Sequence, residues 1–321
     1  MSSLAARVID GLKTPLRPAV RWWRARRYSR LYHRAMSRLH DELTRRLSPS
    51  ARIRFNAEPK ELWERMCDAA APGVARREIS LSSSDAAREI AAYWQRYGPS
   101  YAAIDQGREK ALEHALTFAL LDFSAVTRYC DVAAATSPIA RALAREWPDV
   151  EHWTQDLLFE TDVALQQVGG LAQEMKDIEA GFFDALTLHC SYEHFEGDGD
   201  VEFLAEVDRV LSERGACLII PLYVADTHRV YFDPTSVPID RVRDFDADAE
   251  LRPLYSYRQE HGRFYSPEAL GHRLLAKLPA TLSATLLSFR DQCDVDPGIY
   301  LEFGLVLHRP DSILRGAERL P

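Results

Sequence analysis

Four side chains that can move protons or bind cations lie at the end of one short apolar run, in the stretch "LHCSYEHFEGDGD". His189 ends the run, and Cys190, Glu193 and His194 follow it. Histidine titrates near neutral pH, so His194 is our candidate for a general base that deprotonates a bound hydroxyl, with Glu193 beside it as the second catalytic residue. A Glu-His pair can equally serve to anchor a loop, and the residues leave that alternative open.

The same stretch offers three types of metal ligand: a thiol, a carboxylate and an imidazole. No second cluster of such residues accompanies it in the chain, so we predict no metal site. Asp198 and Asp200, which end the stretch, lack the ligand pattern of an EF-hand. We instead expect Asp200 to cap the helix that follows it.

A second stretch, "CDVAAATSPIAR", runs from an apolar segment through a turn into a helix that begins near Pro138. Nucleotide-binding proteins often carry glycines at such a turn, because glycine reaches positive φ and lets a ligand approach the backbone. Here Ala133, Ala134 and Ala135 take their place. Alanine is the smallest replacement, but it has a steric cost at positive φ. Ser137 or Thr136 can cap the following helix, whose free N–H groups are able to hold a carboxylate.

The elements that must position these residues alternate between strand and helix from residue 126 onward. Strand-like runs separated by helical patterns occur at 126–135, 150–159, 182–191 and 216–224. Such alternation predicts a parallel sheet wrapped by helices. Ligands bind at the carboxyl ends of the strands in open sheets of this kind, and that is where His189 and His194 fall.

The C-terminal part predicts a different connection. Two apolar runs, "ATLSATLLSF" and "IYLEFGLVLHR", are joined by a short polar loop with Pro297-Gly298, as in an antiparallel hairpin. We therefore predict an α/β fold: a doubly wound, mostly parallel seven-stranded sheet with a C-terminal antiparallel hairpin, preceded by a helical N-terminal region.

Three segments divide the chain: a basic amphipathic helical arm (1–48), a helical lead-in (49–121) and a Rossmann-like domain (122–310). Within the domain, residues 225–264 are expected to form an insertion over the substrate face. That insertion contains a cluster of cationic and aromatic side chains: His228, Arg229, Tyr231, Arg241, Arg258 and Arg263. These would suit an anionic sugar or a phosphate, although pairing with nearby aspartates is the commoner explanation.

The segment "FFDALTLHCSYEHFEGDGDVEFLAEVDRVLSERGACLIIPLYV" resembles the fourth-strand region of class I S-adenosylmethionine-dependent methyltransferases. Asp184 begins the strand, the Glu193-His194 pair follows it, and "RVL" precedes the turn at Gly215. The resemblance extends over residues 110–309. The stretch "LHCSYEHFEGDGD" also resembles methyltransferase-like proteins associated with bacterial surface-polysaccharide biosynthesis.

This resemblance implies S-adenosylmethionine as the cofactor. It also implies a site around the alanine turn, which is the turn at residues 133–135. The implied cofactor-binding residues are Asp131, Ala133, Ala135, Ser137, Asp156, Leu157, His189 and Cys190. Asp131 matches the acidic residue with which the family's cofactor loop begins. The family's ribose-binding acid has Gln155 and Asp156 as candidates, and "VGGLAQ" after the third strand has no acid at all.

The implied activity is methyl transfer, with O-methylation of a small hydroxylated or sugar acceptor, related to glycans, as the leading hypothesis. The alternative is a catalytically silent methyltransferase-like scaffold that docks to a partner or a membrane. The alanine turn discriminates between them, because an enzyme of this kind must admit the cofactor there.

Charge is unevenly distributed along the chain. Residues 1–46 hold twelve Lys or Arg and three acids, whereas the whole chain has a net charge of −8. Such an arm could bind an anionic membrane surface or a protein partner. Nucleic acid is not expected, because the body is acidic and contains no known binding module. The five scattered cysteines contain no CxxC pair and favour reduced thiols in a cytoplasmic protein, with attachment to a membrane surface as an open alternative.

Overall fold

The computed structural model describes residues 58–82, 84–102, 107–134, 137–237, 241–254, 259–295 and 299–315. The predicted arm (1–48) lies outside these residues, as do Ala135, Thr136 and Arg258.

Seven helices are formed by the described residues. They are α1 (Pro59–Ala69), α2 (Ser84–Tyr101), α3 (Gly107–Leu120), α4 (Ile139–Glu146), α5 (Gly199–Val210), α6 (Pro267–Ala269) and α7 (Gln292–Val295). The short helix α6 continues without interruption through a π-helical turn, Leu270–Leu274, and a 3-10 turn, Leu275–Lys277.

Eleven strands accompany these helices in the described residues. They are β1 (Ala75–Ser80), β2 (Arg128–Val132), β3 (Glu151–Asp156), β4 (Gln167–Gly169), β5 (Phe183–His189), β6 (Leu211–Ile220), β7 (Arg229–Phe232), β8 (Glu250–Pro253), β9 (His261–Phe264), β10 (Ser283–Arg290) and β11 (Phe303–His308).

Eight of the strands form one sheet in the order β1-β10-β11-β6-β5-β2-β3-β4. Every neighbouring pair is parallel except the two pairs that include β11, which runs antiparallel to β10 and β6. The predicted α/β fold with a mostly parallel sheet and a C-terminal antiparallel hairpin is therefore confirmed. The sheet has eight strands instead of the predicted seven.

The eighth strand, β1, comes from the lead-in that the sequence pattern had assigned to helices. Its sequence, "ARREIS", buries only Ile79 and leaves most of its other side chains exposed or half-buried. A charged strand at a sheet edge discourages further pairing but has almost none of the apolar alternation by which strands are recognised. For this reason the sequence pattern missed it.

Alternation along the central strands explains why helices cover both faces. In β6, Cys217 and Ile219 belong to one hydrophobic core, while Leu218 and Ile220 belong to another. Successive side chains of a strand point to opposite faces, so the two cores lie on opposite sides of the sheet. Helices α1 and α5 and the turns Leu270–Leu274 and Leu275–Lys277 pack in the first core, and α3 and α4 pack in the second.

The predicted insertion, 225–264, contains a separate three-stranded sheet in the order β8-β7-β9. The buried Arg263 of β9 binds Asp246 (2.6 Å) and Asp200 (3.0 Å), the latter in the first turn of α5. Arg273 binds the same Asp200 carboxylate at 2.8 Å. The expectation that Asp200 caps its helix is wrong, because this carboxylate is committed to two arginines and to the Tyr265 hydroxyl.

No helix in the described residues is both long enough and apolar enough to cross a membrane.

Candidate active site

The candidate site lies at the carboxyl ends of β2, β3, β5 and β6, which are mutually parallel and therefore end at one edge of the sheet. The turn Tyr192–His194 follows β5 at this edge. Helix α3 also contributes side chains to this edge. Its Thr117 forms a hydrogen bond with His189 at the end of β5.

One residue of the alanine turn, Ala133, keeps a backbone conformation typical of glycine. Ala133 has φ of +53°, in the left-handed region that L-residues seldom enter. Its N–H donates to Gln155 Oε1 (3.1 Å), and the N–H of Ala134 donates to the Gln155 carbonyl (2.9 Å). The Gln155 amide donates in turn to the carbonyl of Gly170 (2.6 Å). Gln155 thus links the turn to β3, and both polar atoms of its side chain are engaged in hydrogen bonds to the backbone.

Asp131 is buried beside His189, with 3.5 Å between Oδ1 and the ring Nδ1. Thr117 donates its hydroxyl to the carbonyl of Glu113 (3.2 Å) and therefore accepts from His189 Nε2–H (2.9 Å). The other ring nitrogen of His189, Nδ1, is the one that faces the Asp131 carboxylate. Among the described residues, Asp131 Oδ2 has no hydrogen-bond partner. A buried carboxylate oxygen without a donor is suited to receive a cation.

Further predicted cofactor residues that the structure describes lie at or after the carboxyl ends of β2 and β3. Ser137 Oγ accepts from the N–H of Ile139 at the start of α4 (3.3 Å), while Pro138 takes the N-cap position of that helix. Asp156 ends β3, and its Oδ1 accepts from the N–H of Leu158 (2.9 Å). Leu157 has 65% of its surface exposed. Ala135 lies outside the described residues.

Cys190 occupies a cluster of buried polar groups that the sequence pattern did not assemble. Its thiol donates to Glu113 Oε1 (3.2 Å) and lies 3.5 Å from the hydroxyls of both Tyr223 and Tyr300. Lys110 pairs with the same Glu113 carboxylate at 3.0 Å. Burial, and then the negative charge of Glu113, raise the pKa of Cys190 well above its usual value, so the group is a neutral thiol.

His194 is held in one orientation by the inserted sheet. Its Nδ1–H donates to the carbonyl of His261 in β9 (2.5 Å), which leaves Nε2 as the proton-accepting nitrogen. Glu193 Oε1 lies 3.5 Å from that Nε2, and burial raises the pKa of Glu193. The His194 side chain is 32% exposed, so an incoming molecule can reach it.

The structure therefore brings together Asp131 with His189, and Glu193 with His194, at one edge of the sheet. Sequence reasoning missed Lys110, Glu113, Tyr223 and Tyr300, which surround the Cys190 thiol. A signal for two of these was present in "REKALEHALTF", where charged residues interrupt the buried face of an apolar helix. Buried charges in such a position are rare without a partner or a function.

The cationic side chains of the insertion that the structure describes form ion pairs with acidic side chains. Arg229 pairs with Asp226, and Arg241 pairs with Glu196. His228 Nε2 lies 3.0 Å from Asp246, which also binds Arg263. Of the two explanations offered for this cluster, pairing with neighbouring acids fits these contacts, and the anion site does not.

Within the described part of the chain, no group of three or more His, Cys, Asp or Glu side chains has an arrangement that could hold a metal ion.

Comparisons with known proteins show similarity of the fold alone. No protein-family model and no curated protein sequence matches the chain. Among solved structures, the chain is similar to the 1,6-didemethyltoxoflavin-N1-methyltransferase of Burkholderia thailandensis, with 14% identity, 70% of this chain and 85% of that chain covered, and a TM-score of 0.39. It is also similar to an O-methyltransferase family protein of the same organism, with 14% identity, 74% and 75% covered, and a TM-score of 0.37.

A third similar structure is an S-adenosylmethionine-dependent methyltransferase of Archaeoglobus fulgidus, with 12% identity, 68% of this chain and 99% of that chain covered, and a TM-score of 0.38. The order and directions of the strands define the fold independently of these similarities.

Proposed function

We propose that the protein is an S-adenosylmethionine-dependent methyltransferase that O-methylates a small hydroxylated acceptor. The observation that carries the proposal is the alanine turn itself. Ala133 holds a positive φ that costs an L-residue roughly 1–2 kcal/mol. Such strain persists mainly where a site requires it. Directly before this turn, the buried Asp131 Oδ2 has no donor among the described residues.

The residues present fit the cofactor on grounds of charge and access. Asp131 would receive the ammonium of its methionine moiety, and the free N–H groups at the start of α4 would hold its carboxylate. Ala133 and Ser137 would border the same moiety, with Ala135 between them in the chain. Asp156 and Leu157, at the end of β3, would meet the ribose and adenine. His189 and Cys190 would close the site from β5.

When bound, S-adenosylmethionine supplies an electrophilic methyl group on a sulfonium. The protein's part is to orient the acceptor hydroxyl and remove its proton. His194 Nε2 is the proposed base, because Nδ1 is committed to the His261 carbonyl. Glu193, 3.5 Å from Nε2, would stabilise the imidazolium that forms. General bases of this kind contribute roughly 100- to 10,000-fold to the rate.

The proposal extends to the class of acceptor, the location in the cell and the binding partner. A sugar or glycan acceptor follows from the resemblance to polysaccharide-associated proteins, and a cytoplasmic location follows from the composition. The basic residues 1–46 would dock the enzyme to an anionic membrane surface or to a protein partner.

A second candidate function, a silent scaffold, is favoured by one specific observation. Large apolar side chains are exposed along the connection from β3 to β4 and just beyond it: Leu157, Leu158, Val163, Leu165 and Leu171. Exposed apolar patches often mark surfaces for docking. In this version the domain would bind a partner and catalyse nothing.

A thermal-shift titration of the full chain with S-adenosylmethionine and S-adenosylhomocysteine separates the two functions. The enzyme proposal predicts a concentration-dependent rise in melting temperature with both ligands, because each binds only the folded state. A flat response at millimolar ligand would leave the scaffold as the function. His194→Gln is expected to keep the full shift, as is the control His272→Gln at an exposed position.

A further inference from the structure

A cavity of about 390 Å³ lies between α2, α3, α7, the two residues that follow β1, and Ile299. Small-molecule sites in proteins usually enclose about 300–1,000 Å³. The volume is therefore sufficient for a small organic molecule.

The floor of this cavity is apolar and buried. Leu81 follows β1, Leu112 lies on α3, and Ile299 precedes β11; all three are buried and line the cavity. Trp94 of α2 adds an indole ring to the wall. A floor of this composition favours a ligand with an apolar body and offers a flat ring the possibility of stacking.

The mouth of the cavity carries one charge of each sign. Arg108 and Asp294 are both exposed and both line the cavity, together with Ser82. The Arg108 guanidinium lies over the Trp94 ring, 5.3 Å from its centre. One cation and one anion leave the lining without net charge, so a neutral ligand with a polar group near the mouth is favoured over an ion.

Helix α3 connects the cavity to the Cys190 cluster. Arg108 and Leu112 line the cavity, while Glu109 Oε2 accepts from the N–H of Tyr300 (3.0 Å). Tyr300 follows the cavity residue Ile299 directly, and its hydroxyl lies 3.5 Å from the Cys190 thiol. The cavity and the candidate active site therefore share a wall formed by α3 and residues 299–300.

We propose that this cavity binds a neutral molecule with an apolar ring system and a hydroxyl group. The binding of such a molecule does not depend on the proposed function. This ligand class differs from a sugar, since a sugar needs a hydrogen-bond partner for nearly every hydroxyl it buries. The floor provides apolar contact instead.

The test uses the full chain and two neutral probes, borneol and methyl glucoside. Borneol has an alicyclic body with one hydroxyl and does not absorb where tryptophan does, so a change in the emission of the six tryptophans, of which Trp94 lines the cavity, reports its binding. The variant Ala91→Phe places a large side chain in the lining from an exposed helix position. Its matched control, Ala92→Phe, makes the same change at the next exposed position of α2, which does not line the cavity.

Borneol is expected to change the emission saturably, with at least tenfold weaker affinity in Ala91→Phe and unchanged affinity in Ala92→Phe. Equal affinity in the two variants, or no saturable change in the unaltered protein, would overturn the site. Binding of methyl glucoside as tight as that of borneol would overturn the ligand class. Thermal shifts with S-adenosylhomocysteine, recorded on the same samples, report the proposed function separately, because Ala91→Phe should leave them unchanged.

Discussion

At the scale of single residues, the question raised by the sequence was whether alanines could replace the glycines of a cofactor turn. Ala133 adopts the left-handed conformation in spite of its methyl group, while Ala134 does not. Hydrogen bonds from both N–H groups to Gln155 hold the turn in that shape. Ala133 therefore keeps the backbone conformation of a glycine, held by the contacts of the turn with β3.

Replacing Ala133 by glycine should stabilise the protein, since the strain at positive φ is removed. We expect a gain of about 0.5–1 kcal/mol in the free energy of unfolding, because the greater freedom of glycine in the unfolded chain offsets part of the relief. Ala134→Gly, at the adjacent residue with ordinary φ, should destabilise by a similar amount. Urea denaturation of both variants measures this, and a loss of stability in both would show that Ala133 is not strained.

Glu109 gives a dependence of stability on pH. Burial, together with the nearby Glu113, raises the pKa of Glu109 from 4.5 to about 8. The folded state therefore holds its proton more tightly than the unfolded state. Between about pH 4.5 and pH 8, the free energy of unfolding falls as pH rises, by up to about 1.4 kcal/mol per pH unit.

Glu109→Gln removes this titration and retains an oxygen that can accept from Tyr300 N–H. The variant should match the unaltered protein below about pH 4.5, while at about pH 8 it should melt at a clearly higher temperature. Calorimetric melting across this pH range is the measurement, with the exposed Glu61→Gln as control. A constant difference between Glu109→Gln and the unaltered protein at all pH values would contradict the assignment.

At the scale of elements, strong apolar periodicity predicted β5, β6 and the C-terminal hairpin, because these elements are buried on both faces of the sheet. The edge strand β1 escaped prediction, since its charged sequence buries one side chain. The pairs Asp131–His189 and Glu193–His194 could be placed at one sheet edge from strand ends alone. The cluster around Cys190 could not, because α3 and the segment before β11 join it only through tertiary packing.

The inserted sheet is tied to the main domain by a buried ionic network centred on Asp200. Asp200→Asn would leave Arg263 and Arg273 without their full counter-charge in the interior. Breaking a buried pair from one side typically costs about 3–5 kcal/mol. Chemical denaturation should show a loss of that order for Asp200→Asn.

Asp198→Asn is the matched control, because this aspartate is 78% exposed and binds the same Arg273. Exposed pairs contribute about 0–1 kcal/mol. Equal losses for the two variants would mean that the network does not carry the contact between the insertion and α5.

At the scale of the whole molecule, the chain combines a basic segment (1–46) with an acidic remainder. Binding of this segment to an anionic membrane surface predicts that the full chain sediments with vesicles containing phosphatidylserine and not with vesicles of phosphatidylcholine alone. Added salt should release it. Replacing Arg21, Arg24 and Arg27 by glutamine should weaken binding by about 3 kcal/mol, at about 1 kcal/mol for each charge. Sedimentation that is independent of lipid charge would exclude this role.

The central claim is that the alanine turn still admits S-adenosylmethionine, with Asp131 receiving its ammonium. Calorimetric titration tests this most directly, using S-adenosylhomocysteine and an analogue that lacks the α-amino group, against the unaltered protein and Asp131→Asn. A charged hydrogen bond contributes about 1.5–3 kcal/mol, so we expect the analogue to bind the unaltered protein at least about tenfold more weakly than S-adenosylhomocysteine does. Asp131→Asn should bind the two ligands alike. No binding at millimolar ligand, or an Asp131→Asn variant that still discriminates between the ligands, would contradict the claim.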